Sequence, residues 1–359
     1  MANSIERLSE LLIKGDSKKA ALVFFGKNRR FFTEFPSSLG VLFVTKDRSW
    51  LLVDFRYAEA AKRSAKNCEV ISFESMTDEL NKLIKENGVS QVYLENETLS
   101  LGQANRFAKE FEKVGAEAVM SGELDAVIRE IRMIKTPAEV AKIEAAQAIT
   151  DASFSHILPF IKEGMTEIEI ALEIEFFMRK NGADGVAFEP IVVVGENSSL
   201  CHGVPSDNAV KKGDFITMDF GALLDGYHSD MTRTVVLGSV SDEQKAVYDT
   251  VLKAHLAAEA AVKPGIPCCD IDKVARDIID ENYSGAFGHG LGHGVGVEIH
   301  EWPRFSKLDS TPCAAGMVVT NEPGIYLAGK YGVRIEDMLL ITDNGCRSLT
   351  NSPKDLIIL

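Results

Sequence analysis

Met218-Asp-Phe-Gly-Ala-Leu-Leu-Asp-Gly-Tyr-His-Ser-Asp-Met-Thr-Arg-Thr234 puts two aspartates on what reads as one β-hairpin. Phe215 to Gly221 alternates, with Ile216, Met218 and Phe220 on one face and Thr217 and Asp219 on the other. Asp225-Gly226 is a two-residue turn signal. With the turn there, Leu224 faces Tyr227 and Asp219 faces Thr232. Asp230 then lies two residues along the same face, a diagonal neighbour of Asp219, and diagonal Cα pairs are about 7–8 Å apart. Two like charges at that range repel unless a cation separates them, and a divalent ion bound through oxygen is the simplest neutraliser. The competing reading leaves both aspartates in water, or pairs Asp230 with Arg233.

Downstream residues favour the site. Phe287-Gly-His-Gly-Leu-Gly-His-Gly-Val-Gly-Val-Glu-Ile-His300 carries three of the chain's seven histidines among five glycines. Glycine at that density permits close backbone approach. In Met317-Val-Val-Thr-Asn-Glu-Pro-Gly324, Glu322 ends an otherwise apolar strand and needs a partner. Val333-Arg-Ile-Glu-Asp-Met338 alternates, with Arg334 and Glu336 on one face; they pair with each other, or Arg334 orients Asp230. Upstream, Phe188 to Gly203 reads as a strand and a polar loop ending in His202, where a surface role and a functional one are evenly matched. Glu196 and Asn197 read as turn residues.

The chain has 359 residues, enough for two domains, with 45% hydrophobic and 26% charged residues. A net charge of −14 argues against nucleic acid as a partner. No run approaches a membrane span, and the first residues lack the apolar core of a signal peptide. Six scattered cysteines form no CxxC pair, so a reducing cytoplasm is the expected setting.

From the start of the chain, Ile5 to Ile13 reads as a helix. Strands are expected at Ala21–Phe25, Leu39–Thr45, Ser49–Phe55, Cys68–Phe73, Ser90–Leu94 and Ala116–Met120. Helices are expected at Tyr57–Lys66, Asp78–Glu86, Gly102–Val114 and Leu124–Ile134. That alternation gives a modest α/β unit. Thr136-Pro137 with Glu139 forms a capping-box start for a helix running to about Ile161. An internal repeat follows: Lys-Glu-Gly164 and Lys-Pro-Gly265 each join two helices and lead into strands, 101 residues apart. Two such units suggest a pseudo-symmetric α+β domain with sheets inside and helices outside.

FEPIVVVGENSSLCHG, MDFGALLDGYHSDMTRT, GHGLGHGVGVEIHEWP, VVTNEPGIY and GVRIED occur in that order. The whole chain resembles the creatinase/prolidase/methionine aminopeptidase family with the pita-bread fold, and most closely its proline-specific branch, the Xaa-Pro dipeptidases and aminopeptidase P. The resemblance implies an α+β pita-bread domain over residues 136–359 after a smaller α/β creatinase-type domain over 1–130. It implies metal ligands at Asp219, Asp230, His293, Glu322 and Glu336, with Asp230 and Glu336 bridging. It implies that His202, His289 and His300 handle substrate and developing negative charge, that Glu322 shuttles a proton, and that Arg334 supports the bridging aspartate. Two divalent ions, Mn²⁺ or Co²⁺ with Zn²⁺ and Fe²⁺ left open, would activate water against the carbonyl preceding proline. The implied partner is a proline-containing peptide, and the implied assembly a homodimer. Dipeptidase and aminopeptidase P are evenly balanced. A methionine-type aminopeptidase, metal-free creatinase and a non-catalytic peptide-binding module fit less well, because the ligand set and the N-terminal region are both present. The segment Phe305–Cys313 has no confident counterpart in the family.

Overall fold

The computed structural model describes residues 3–359 and divides into two compact units, Met1–Arg132 and Met133–Leu359. The first carries a six-stranded sheet in the order Glu69–Ser72, Ser49–Val53, Val41–Val44, Lys19–Val23, Gln91–Leu94, Glu117–Val119. Val41–Val44 is antiparallel to both neighbours, and the outer pairings are parallel. Leu22, Phe43, Leu52 and Val92 pack under Leu80, Ile84 and Phe111 from the helices.

One helix here, Gly26–Thr33, has no counterpart in the sequence reading. Its N-cap, Phe25, offers no side-chain hydrogen bond. The cap comes from the end of the neighbouring strand, Gln91–Leu94. The buried Glu95 carboxylate accepts the N–H groups of Phe24 and Phe25 and the Asn28 amide. A cap 70 residues away leaves no local signature.

The second unit is built from two helix pairs, Pro137–Ile157 with Glu167–Lys180 and Asp242–Ala261 with Cys268–Tyr283. Gly164 and Gly265 sit at the two joins with φ of 88° and 86°, the left-handed conformation that ends a helix. Under the first pair, Phe154, Ile157, Ile170 and Ile174 pack on Ile216, Met218 and Val192. Under the second, Val247, Val251, Ile271 and Ile279 pack on Val319, Ile335 and Leu339. The sheets beneath are three-stranded (Met231–Val236, Phe215–Phe220, Ile191–Val194) and five-stranded (Glu301–Phe305, Gly292–Gly294, Val318–Asn321, Asp337–Thr342, Gly345–Ser348).

The hairpin has the expected register, with Leu224 opposite Tyr227 and Asp219 opposite Thr232. Asp225 and Gly226 both have positive φ, 48° and 79°, as a type I′ turn requires. The ribbon is broken midway. Ala222–Leu224 and Tyr227–His228 peel off to join Gly185–Val186 in a separate sheet. Gly221 stands at the break, where a Cβ would lie 1.8 Å from the Ser229 carbonyl oxygen.

Arg233 does not pair with Asp230, because alternation along Met231–Val236 turns it to the opposite face. It is 1% exposed there. It donates to the carbonyls of Thr232 (2.9 Å), Glu336 (2.6 Å), Ser352 (2.8 Å) and Pro353 (2.8 Å) and to Asp337 (2.7 Å). Asp337 also meets His255 (3.1 Å) and Lys354 (2.7 Å). Arg233→Met would leave that carboxylate short of a partner and take one donor from each of four carbonyls. Loss of one member of a buried pair costs about 3–5 kcal/mol. The expected result is a Tm lower by roughly 10 °C in calorimetry; a fall of only a degree or two would show that the network is not holding the two strands.

Candidate metal centre

Strands of both sheets deliver carboxylates to one cavity of about 350 Å³. Asp219 lies near the end of Phe215–Phe220, and Asp230 at the hairpin break just before Met231–Val236. His293 is the middle residue of Gly292–Gly294. That strand needs glycine before the histidine: a Cβ on Gly292 would stand 2.0 Å from the Thr320 carbonyl oxygen. Glu322 follows Val318–Asn321, its N–H bonded to the Leu291 carbonyl at 2.8 Å. Glu336 falls in the gap between Tyr331–Arg334 and Asp337–Thr342, so Arg334 and Glu336 do not share one continuous strand.

The sequence reading allowed Arg334 to pair with Glu336 or to orient Asp230. Both are corrected by the structure. Arg334 Nη2 donates to Asp219 Oδ2 at 2.7 Å, and its Nε to the Thr232 hydroxyl at 3.0 Å. Glu336 Oε2 is held instead by Thr232 Oγ1 at 2.6 Å. Glu322 Oε1 accepts from Thr320 Oγ1 at 3.1 Å.

The remaining lone pairs face one another. His293 Nδ1 lies 3.1 Å from the Gly294 carbonyl and must carry the ring proton to bond it. Nε2 therefore presents a lone pair, 3.6 Å from Asp230 Oδ2 and 3.4 Å from Glu322 Oε1. Burial, and then the neighbouring His300, push the imidazole down to about 3, so it stays neutral and these are not ion pairs. Asp230, His293 and Glu336 bring ligand atoms within 4.8 Å of one another. Burial, followed by mutual repulsion, raises Asp230 and Glu336 well above the usual carboxylate range. Burial lifts Glu322 to about 8. Asp219 Oδ1 is buried with no hydrogen-bond partner. Acceptors that converge without donors fit a cation, and imidazole and carboxylates are the donors such ions take.

The other histidines differ in what holds them. His289 is fully engaged: Nδ1 donates to the Gly290 carbonyl at 2.8 Å, and Nε2 accepts from the Tyr326 hydroxyl at 2.9 Å. Tyr326 in turn accepts from Arg334 Nη1 at 3.0 Å. Burial and then Arg334 lower His289 to about 4. His202 and His300 line the cavity, and among the described residues their rings make no protein hydrogen bond. Tyr326 was absent from the sequence reading, although a buried tyrosine always raises the question of its partner. Phe188, Ile191 and Ile299 give the cavity an apolar wall. Arg304, just before the segment without a confident counterpart, and Ser306, within it, also line it.

Residues 141–343 match Metallopeptidase family M24, and residues 5–134 match the Creatinase/Prolidase N-terminal domain. The chain is 39% identical over 361 residues to an Xaa-Pro dipeptidase of Pyrococcus furiosus, covering 98% of this chain and 99% of that protein. It is similar to the structure of an Xaa-Pro dipeptidase from Bacillus anthracis, with a TM-score of 0.92, 39% identity and 99% of each chain covered. It is also similar to an X-Pro aminopeptidase from Thermotoga maritima, with a TM-score of 0.89, 36% identity, and 95% of this chain and 97% of that one covered. The two-domain α+β architecture expected from sequence is thus shown.

A carboxyl whose pKa rises on folding keeps a proton that the unfolded chain releases. With Glu322 near 8 against 4.5 unperturbed, the chelator-stripped protein loses stability as pH rises from about 4.5 to about 8. Added Mn²⁺ is expected to raise Tm, and by more at pH 8 than at pH 5. A thermal shift independent of pH across that window would contradict the repulsion described here.

Proposed function

The chain belongs to metallopeptidase family M24, and on that footing we propose that it hydrolyses the Xaa-Pro bond of dipeptides, with two divalent cations held by Asp219, Asp230, His293, Glu322 and Glu336. The observation that carries this is the convergence of acceptors in a cavity that also contains two histidines, His202 and His300, whose rings make no protein hydrogen bond among the described residues. Four carboxylates against one paired guanidinium support two ions rather than one. Oxygen donors with a single imidazole suit Mn²⁺ or Co²⁺.

When bound, the cations supply Lewis acidity toward the scissile carbonyl and lower the pKa of water. The chain's own residues do the rest. Glu322 takes the proton of the attacking water and returns it to the departing proline nitrogen. His202 and His300 donate to the carbonyl oxygen as it gains charge. His289, both of whose nitrogens are engaged, steadies Tyr326 and through it Arg334. Phe188, Ile191 and Ile299 offer an apolar seat to the proline ring. Proline's nitrogen carries no N–H, so recognition by ring shape replaces the backbone hydrogen bond that general peptidases use.

Arg304 favours the dipeptide reading. Its guanidinium lines a cavity at the small end of the ~300–1,000 Å³ range of ligand clefts. A cation there suits the free carboxylate of a two-residue substrate. The similarity to an X-Pro aminopeptidase keeps longer peptides as the second reading. A homodimer is proposed on the resemblance alone, and a cytoplasmic setting on the resemblance together with six free cysteines. No helix among the described residues is long and apolar enough to cross a membrane.

Metal-loaded protein is expected to cleave Ala-Pro and to leave Met-Ala-Ser intact. Release of alanine from Ala-Pro-Ala at a comparable rate would replace the dipeptidase reading with aminopeptidase P, and inertness toward all three would remove both. Arg304→Ala is expected to raise KM for Ala-Pro by roughly 10- to 100-fold, from loss of a charged hydrogen bond worth about 1.5–3 kcal/mol. Asp230→Asn should abolish both cation binding in calorimetric titration and turnover; a variant with full activity would refute the assigned ligand set.

A further inference from the structure

His202 has nothing to hold its ring among the described residues, so its position is set by its backbone alone. That backbone is a loop, residues 195–205, whose two ends meet on one side chain. We propose that Glu167 is the positioning residue for His202, an inference that rests on the reading of His202 as a substrate-contacting group.

Glu167 is the first residue of the Glu167–Lys180 helix and is 0% exposed. Oε1 accepts from the Val194 N–H at 2.8 Å, Asn197 Nδ2 at 3.0 Å and Asn208 Nδ2 at 3.4 Å. Oε2 accepts from the Ser206 N–H at 2.9 Å and the Ser206 hydroxyl at 2.6 Å. Val194 is the last residue before the loop and Ser206 the first after it. One carboxylate thus ties both strands of the neck. Among the described residues no cation pairs with it. Five donors and the positive end of its own helix stand in for a counter-ion. A carboxylate accepts at both oxygens and donates at neither, so it fits this ring of donors; a carboxamide must turn an NH₂ into it.

Beyond the neck, residues 195–199 form a tight turn with Ser198 buried, and residues 200–205 are lightly held. Ser198 Oγ accepts from the Gly332 N–H at 2.9 Å, and Arg334 reaches the Cys201 carbonyl only at 3.4 Å. Leu200 and Val204, on either side of Cys201-His202-Gly203, are exposed. None of the five proposed metal ligands lies on the loop. Loosening the neck should therefore displace His202 and leave the cations in place.

The test uses the full-length, metal-loaded protein. Glu167→Gln is expected to speed hydrogen exchange over residues 195–206, to leave metal stoichiometry and affinity unchanged, and to lower kcat/KM for Ala-Pro by roughly 10- to 100-fold, the penalty of a misplaced group. Ser206→Ala, which removes the shortest of the five bonds, should shift both readouts the same way but less, and serves where Glu167→Gln folds poorly. In a His202→Ala background, Glu167→Gln should cost nothing further. Unchanged exchange in the loop would overturn the proposal. So would loss of metal, or a kcat/KM penalty equally large without His202. If the parent protein cleaves no Xaa-Pro peptide, the function above fails, while the exchange measurement still decides whether Glu167 pins the loop.

Discussion

Like charges driven together away from water are the constraint on which the second unit is built. Asp219, Asp230, Glu322 and Glu336 line one cavity, Asp219 from within a strand and the other three from positions next to strand ends. Burial disfavours the charges of Asp230, Glu322 and Glu336, and the neighbouring carboxylates add to the penalty. A chain that only needed stability would have put apolar residues here. The surrounding structure instead resists collapse and repulsion together. Thr232 and Thr320 fix individual carboxylate oxygens, and Arg334 neutralises Asp219. From behind, Arg233 binds the Thr232 and Glu336 carbonyls to one guanidinium. The cradle is thus braced on the face that holds the charge and on the face that does not.

The two halves of the unit solve the same local problem with different chemistry. Each must carry a histidine to the cavity on irregular backbone, and each anchors that backbone to the helix that follows its glycine join. In the first half Glu167 gathers Val194, Asn197, Ser206 and Asn208. In the second, Asp272 accepts the Leu291 N–H at 3.0 Å while its partner Arg276 donates to the Phe287 and His289 carbonyls at 2.7 and 2.8 Å. An ion pair clamps a segment that needs both donors and acceptors; a lone carboxylate clamps one that offers donors only. The carboxylates sit a turn apart relative to the repeat, so the resemblance is one of mechanism rather than of aligned residues.

Periodicity and turn chemistry made much of this visible in advance. The alternation of Phe215 to Phe220 and the Asp225-Gly226 turn determined the register that sets Asp219 opposite Thr232. Glycine at 164 and 265 marked the two joins because an L side chain rarely adopts their backbone conformation. What escaped was carried by contacts distant in sequence. The Gly26–Thr33 helix is capped by Glu95, and Arg334 serves Asp219, 115 residues away from it, rather than Glu336. Tyr326 and Glu167 sat in full view. Their roles come from partners that only the fold assembles, and Asn197, read as a turn residue, is one of them.

The charge count of the cavity also limits how the proposed chemistry can work. Four carboxylates and Arg334 leave the buried cradle at three negative charges. One divalent cation would leave it still negative, and a peptide carbonyl gaining negative charge would be repelled at the moment of attack. Two divalent cations take it one step past neutrality. With both bound, the negative charge that moves onto the substrate oxygen, its proton passing to Glu322, would face a positive rather than a negative centre, as catalysis by differential binding demands. The same count explains why His293 and His289 must be neutral. Burial lowers both to about 3 and 4, and an additional positive imidazolium would spoil that balance before substrate arrived. Arg304 lines the same cavity, where its charge acts on Glu322 and His293 and would also meet a terminal carboxylate.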